Sequence, residues 1–185
     1  FTDVNNSGKD SGIVIGSAYQ RQAARLNMDL NATDKLFVST SMGLTREDND
    51  RIPGDQSLDG IVTNAIGMQP FAPIYGSSSG FGGRAEGLRY SNPVATAAFS
   101  FDNYKTLRAL GNLDAKYLFS DKVFLSGRVG ADVYGIDELT WSDPRIDRAY
   151  AASAGGVGRT AHNTNTKYVA ESFLTVEPMS APSNR

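Results

Sequence analysis

From Lys105 to Tyr134 apolar and polar positions alternate with a period of two, interrupted by the polar break Ser120-Asp121-Lys122. Leu107, Ala109, Gly111, Leu113, Ala115 and Tyr117 fall on one face. Thr106, Arg108, Asn112, Asp114 and Lys116 fall on the other, with Leu110 as the exception. After the break, Val123, Leu125, Gly127, Val129, Ala131 and Val133 alternate with Ser126, Arg128 and Asp132. Successive side chains of a strand point to opposite faces, so the pattern predicts a β-hairpin with one oily and one charged face. Each arm is about a dozen residues, long for a soluble strand but enough to cross a bilayer when tilted.

The same chemistry occurs earlier in the chain. Ala24, Leu26, Met28 and Leu30 oppose Arg21, Arg25, Asn27, Asp29 and Asn31. A short turn at Thr33-Asp34 leads into Leu36, Val38, Thr40, Met42 and Leu44. A last alternating run sets Tyr168, Ala170, Leu174 and Val176 against Val169, Glu171, Phe173 and Thr175. Five strands are therefore expected, near residues 18–32, 35–46, 105–118, 122–134 and 166–176. Residues 1–12, polar and rich in Asn, Gly and Asp, read as a loop or strand end.

The connections alternate between tight turns and long stretches near 46–104 and 135–163. The first long stretch holds a short amphipathic helix over 57–68, with Ser57 as its N-cap and apolar residues at 58, 61, 62, 65 and 66. The second contains Trp141, Pro144 and the small-residue run Ala151–Gly158. Structureless loops this long are rare in compact soluble domains, whereas outer-membrane barrels have short turns at one end and long loops at the other. The expected fold class is all-β, an antiparallel transmembrane β-barrel segment.

Composition narrows the function. Lys+Arg number 18 against 20 Asp+Glu, a net charge of −2, so no basic excess argues for nucleic acid. No stretch approaches the roughly 18 apolar residues of a spanning helix, which transmembrane strands do not need. Cysteine is absent, so disulfides, a thiol nucleophile and thiolate metal sites are excluded. The chain starts at Phe1 without a leader and its last residues carry no strand pattern, so both ends read as cuts in a longer polypeptide.

Few residues suggest chemistry. His162 is the only histidine, which leaves no His-based triad or multi-histidine metal site, and it is expected in a polar loop. The acidic run Glu47, Asp48, Asp50, Asp55 and Asp59 does not match a calcium loop. No cofactor is expected, with a structural calcium on Asp48, Asp50 and Asp55 as the alternative to a solvated loop. Gly155–Thr160 lacks the Lys-Ser/Thr ending of a phosphate loop. Asn31-Ala32-Thr33 is a formal glycosylation sequon at a tight turn.

Arg21, Arg25, Asp29, Arg108, Asp114, Lys116, Arg128, Asp132 and Glu171 share the charged face, where they pair with one another or line a solute path. Among these, Arg108, Asp114, Arg128 and Asp132 are the path candidates. Of the aromatics outside the strands, Tyr75, Phe81, Tyr90 and Trp141 are the candidates for stacking on a ligand, against the alternative that they pack the loops. No acid–base or nucleophile constellation emerges, so an enzyme is not expected.

Several ordered stretches resemble one family. They are residues 11–48 (SGIVIGSAYQRQAARLNMDLNATDKLFVSTSMGLTRED), 57–76 (SLDGIVTNAIGMQPFAPIYG), NPVATAAF at 92–99, 107–138 (LRALGNLDAKYLFSDKVFLSGRVGADVYGIDE) and KYVAESFLTV at 167–176. Together they resemble the SusC/RagA-type TonB-dependent transporters of the Bacteroidota outer membrane. The resemblance includes an R-x-x-x-R-x-N-x-(D/N) strand at Arg21–Asp29 and an Asn-Pro-Val/Ala element at Asn92–Ala95, and covers about residues 10–177. It implies an interior piece of a 22-stranded barrel in the bacterial outer membrane, with a plug and N-terminal domains lying elsewhere. It further implies import of oligosaccharides or peptides beneath a SusD-like surface lipoprotein, energised by TonB through a region outside this chain. Two rival readings remain. One is a secreted soluble β-sandwich or barrel that binds carbohydrate, in which the apolar faces would bury a core. The other is a porin or adhesin barrel independent of TonB.

Overall fold

The computed structural model describes residues 2–52, 60–76, 80–82, 90–146 and 149–177. Alternation becomes a single antiparallel sheet of six strands in strict chain order: β1 (Thr2–Ser11), β2 (Ala18–Thr33), β3 (Leu36–Arg51), β4 (Ser100–Ser120), β5 (Val123–Ser142) and β6 (Val157–Val176). Three short helices lie in the connections: α1 (Ile61–Gly67), α2 (Pro93–Phe99) and α3 (Ala149–Ala154).

The turns that join the hairpins are set by local chemistry. At Asp34-Lys35 the Thr33 hydroxyl accepts from the amides of Lys35 (3.2 Å) and Leu36 (3.0 Å), closing the β2–β3 turn. The β4–β5 turn at Asp121-Lys122 is equally short. Each turn has a register irregularity beside it, between Asn31 and Thr33 and between Leu118 and Ser120.

The register carries the one-sided chemistry across the sheet, because directly paired residues share a face. One transverse row runs Leu26, Met42, Gly111, Ala131, Tyr168. The row beside it runs Met28, Thr40, Leu113, Val129, Ala170. The opposite face has its own rows, such as Asp29, Ser39, Asp114, Arg128, Glu171. All nine charged residues placed on one face by the alternation occupy that face.

No described residue packs over the apolar side. Met42 is 54 % exposed, Val129 53 % and Leu174 64 %. Among the described residues the buried hydrophobic side chains are Ile61, Ala95 and Ile146, all in the connections. The molecule is thus an open, single-layer sheet, and no helix of the described residues is long and apolar enough to cross a membrane.

Several expectations change. The strands number six rather than five, because polar residues 2–11 form an edge strand paired with β2. An edge position needs backbone pairing and no apolar side chain. The later strands are longer than expected: β4 starts at Ser100, β5 continues to Ser142 and β6 begins at Val157. His162 therefore lies in β6, opposite Asp137, and not in a loop. The long connections shrink to residues 52–99 and 143–156. In the first, the helix covers Ile61–Gly67, with Gly60 at its N-cap and no side-chain cap bond; Ser57 lies outside the described residues.

Candidate functional site

The charged face of the sheet holds the densest array of polar groups. Arg108 grips Asp132 through two bonds, Nε to Oδ1 at 2.9 Å and Nη2 to Oδ2 at 2.7 Å. Arg128 meets Asp114 at 2.5 Å, and the Asn112 amide donates to the other Asp114 oxygen at 2.6 Å. Arg21 approaches Glu47 more loosely, at 3.5 Å. Lys116 lies 3.9 Å from the Phe124 ring centre. Arg108, Asp114, Arg128 and Asp132, separate candidates in the sequence, are thus brought together as two cross-strand pairs.

These arginines are half-exposed, and pairs of that kind contribute only about 0–1 kcal/mol each. Their arrangement orders the face more than it stabilises the sheet. Arg25 stands opposite Asp3 of β1 in the register. It borders a hollow of about 640 Å³ lined by Arg21, Ala23, Gly43, Thr45, Arg108 and Asn112, among others. Nothing in the sequence pattern singled out this hollow. A trace of it was present in Gly43, which interrupts the polar side chains of β3, and a Cβ placed there would meet nothing within 4 Å.

The apolar face has a boundary. Five rows, from Leu36–Tyr117–Leu125–Leu174 to Ala24–Leu44–Ala109–Val133–Thr166, are predominantly oily. Beyond Ala109 the same face turns polar, first in the row Gln22, Arg46, Leu107, Gly135, Thr164 and then in the row Gln20, Asp48, Lys105, Asp137, His162. There the His162 ring nitrogen Nδ1 lies 2.5 Å from Asp137, and the Asn103 amide donates to Asp48 and Asp50 at 2.7 Å each. Within the oily band the Thr40 hydroxyl is buried and donates to the Asn112 carbonyl at 2.9 Å, so it faces outward without an unmet bond.

Asp48 and Asp50 stand on β3 rather than in a loop, and Asp55 lies outside the described residues. Among the described residues no group of three or more His, Asp or Glu side chains is gathered to hold a metal ion.

The aromatics largely pack against the connections. Phe81 stacks on Tyr75 at 5.6 Å between centroids and meets Phe99 edge-on at 5.2 Å. The Tyr90 ring lies over Gly67, where a Cβ would approach it to 2.4 Å. Trp141 belongs to the end of β5 and covers Gly156 and Gly158. Tyr75, 66 % exposed, keeps an open face, and so does the neighbouring Phe71. Asn92 anchors this region. Its carboxamide oxygen accepts from the amides of Val94 and Ala95, while its Nδ2 donates to the carbonyls of Ile74 and Gly82.

No known family model matches the chain, and no curated protein sequence matches it.

Proposed function

We propose that this sheet is part of the wall of a transmembrane β-barrel in a bacterial outer membrane, in a transporter of the SusC/RagA type. The observation that carries the reading is the bare apolar face bounded by a polar row. From Tyr117 to Ala109 the oily rows span eight residues' rise on β4, about 27 Å along the strand. At the usual barrel tilt that is about 20 Å of height, close to the roughly 25 Å apolar band of such walls. A contiguous bare patch of this extent exceeds the ~300–600 Å² that soluble monomers commonly expose.

The opposite face supports the same reading. A water-filled interior suits half-exposed ion pairs, and Thr40 has its hydroxyl satisfied within the sheet, as hydrocarbon demands. The outer edges of β1 and β6 carry no strand among the described residues, and closing a barrel needs further strands. In this reading the long connections on one side meet solute and a surface lipoprotein lid, and the two tight turns face the periplasm. The solute is an oligosaccharide or peptide, TonB acts through a region outside this chain, and the wall catalyses nothing.

Two neighbouring substitutions test the proposal in the full polypeptide refolded into lipid vesicles. Leu113→Arg, in the middle row of the oily band, is expected to cost about 2–4 kcal/mol of folding free energy, whereas Asn112→Arg on the charged face costs under ~1 kcal/mol. A polypeptide that folds to a monodisperse state without lipid or detergent overturns the barrel and favours the soluble carbohydrate-binding module.

A further inference from the structure

We propose that the oily face carries a site for one anionic lipid, its chain lying in a trough on β4 and β5 and its phosphate on Arg46. The inference rests on the barrel reading above, which turns this face to the membrane.

The register builds the trough. In the row Leu26, Met42, Gly111, Ala131, Tyr168 the two small residues lie on β4 and β5, with larger ones to either side. In the row beside it Ala109 stands between Leu44 and Val133. Ala109, Gly111 and Ala131 thus form a low floor between Leu26, Met42 and Leu44 on one flank and Val133 on the other. Together they enclose a hollow of about 510 Å³. A Cβ on Gly111 would meet the Met42 side chain and the Ser41 carbonyl at an ordinary 3.8 Å, so the floor has room above it. Between an apolar wall and lipid tails there is no hydrophobic gain, so the trough contributes shape, and selection falls to the headgroup.

The trough ends on polar ground. The next row on the same face holds Gln22, Arg46 and Leu107, and the one beyond it Gln20, Asp48 and Lys105. Gln20, Gln22, Arg46 and Asp48 line a second hollow, of about 180 Å³. Arg46 joins the two hollows, since Leu44 of the trough lies two residues away on β3, about 7 Å along the strand. The Arg46 side chain is exposed, and its neighbours on the two adjacent strands, Gln22 and Leu107, are uncharged. The nearest acid on its strand and face is Asp48, which accepts from the Asn103 amide at 2.7 Å and stands opposite Lys105. A guanidinium is a planar fork suited to phosphate oxygens, and the Gln20 and Gln22 carboxamides add neutral donors. An apolar hollow that adjoins a cationic one is the outline of a lipid with an anionic head. Because this end of the oily band lies toward the long connections, the lipid belongs to the outer leaflet.

The test follows lipid binding to the full polypeptide in detergent by native mass spectrometry, with dioleoylphosphatidylglycerol and dioleoylphosphatidylcholine as probes. Arg46→Gln should weaken one phosphatidylglycerol by about tenfold, the loss of one charge-assisted bond, and leave phosphatidylcholine unchanged. Gly111→Leu, which fills the trough with a side chain as apolar as the lipid, should weaken both. Ala131→Leu fills the same floor from β5 and serves where Gly111→Leu does not fold. Excess glycerol 3-phosphate should displace neither lipid.

An Arg46→Gln protein that holds phosphatidylglycerol as tightly as the parent overturns the proposal, and so does equal weakening of both lipids by that variant. Displacement by glycerol 3-phosphate overturns it too, since a soluble phosphate compound would then be the ligand. Unchanged binding after the trough is filled removes the chain's place and the lipid site with it. Labelling of Leu113→Cys by a lipid-dissolved thiol reagent, run in parallel, reports on the wall alone. If Leu113→Cys is labelled and Arg46→Gln changes nothing, the lipid site fails and the wall stands. If Leu113→Cys is not labelled from lipid, the wall itself fails.

Discussion

At Gly156 the backbone takes φ +103°, a left-handed conformation that side chains rarely adopt, and a Cβ there would come within 2.7 Å of the Trp141 ring. Both effects oppose any larger residue. Gly156→Ala should cost about 1–3 kcal/mol of local stability, read as faster amide exchange in residues 143–158 with the rest of the sheet unchanged. Nearby, Asp143 accepts from Arg145 through its amide (2.9 Å), Nε (2.8 Å) and Nη2 (2.9 Å). The side-chain bonds first, and the backbone bond second, hold the Asp143 carboxyl down at about 2. A depressed carboxyl stabilises the folded turn above its ordinary 3.8 and loses that contribution as pH falls toward about 2. The turn at 143–146 should loosen over that interval. Fluorescence of Trp141, the chain's one tryptophan and a donor to Asp143, would follow it, and Asp143→Asn should abolish the step.

Among the elements, α2 shows how a seven-residue helix persists without length. Asn92 caps it, Pro93 starts it with a fixed φ, and the Thr96 hydroxyl bonds back to the Asn92 carbonyl at 3.1 Å. Asn92→Ala removes the cap, leaves the Gly82 carbonyl without its donor and leaves the Ile74 carbonyl with the Gly82 amide alone. We expect a loss of about 2–4 kcal/mol confined to this unit. Limited proteolysis should then cut between α1 and α2 while β3 and β4 stay intact. The Asn-Pro pair was visible in the sequence, but only through the family resemblance, although cap followed by proline is itself a helix start. The hairpins were legible because Leu36–Leu44 and Leu107–Tyr117 need one apolar face. The strand ends at 100–104, 135–142 and 157–165 were not, because there polar residues occupy both faces and the period vanishes. The hollow at Gly43 was hidden for a different reason. It joins residues from three strands, and only the register reveals that Arg21, Arg25 and Arg108 share one space.

On the scale of the whole molecule, one layer of backbone separates an apolar face from a charged one, and among the described residues no hydrophobic side chain of the sheet is buried. The strict strand order also sets how this layer can come together. β2 meets β3 across two residues, and β4 meets β5 across two, but Arg51 meets Asp102 only after about fifty residues. Closing that gap costs about 3 kcal/mol more in chain entropy than closing a two-residue turn. β2–β3 and β4–β5–β6 are therefore expected to assemble first, with their joining along β3 and β4 as the late, slow event. The connection that carries α1 and α2, by packing on itself, shortens the search that brings the two halves of the sheet edge to edge.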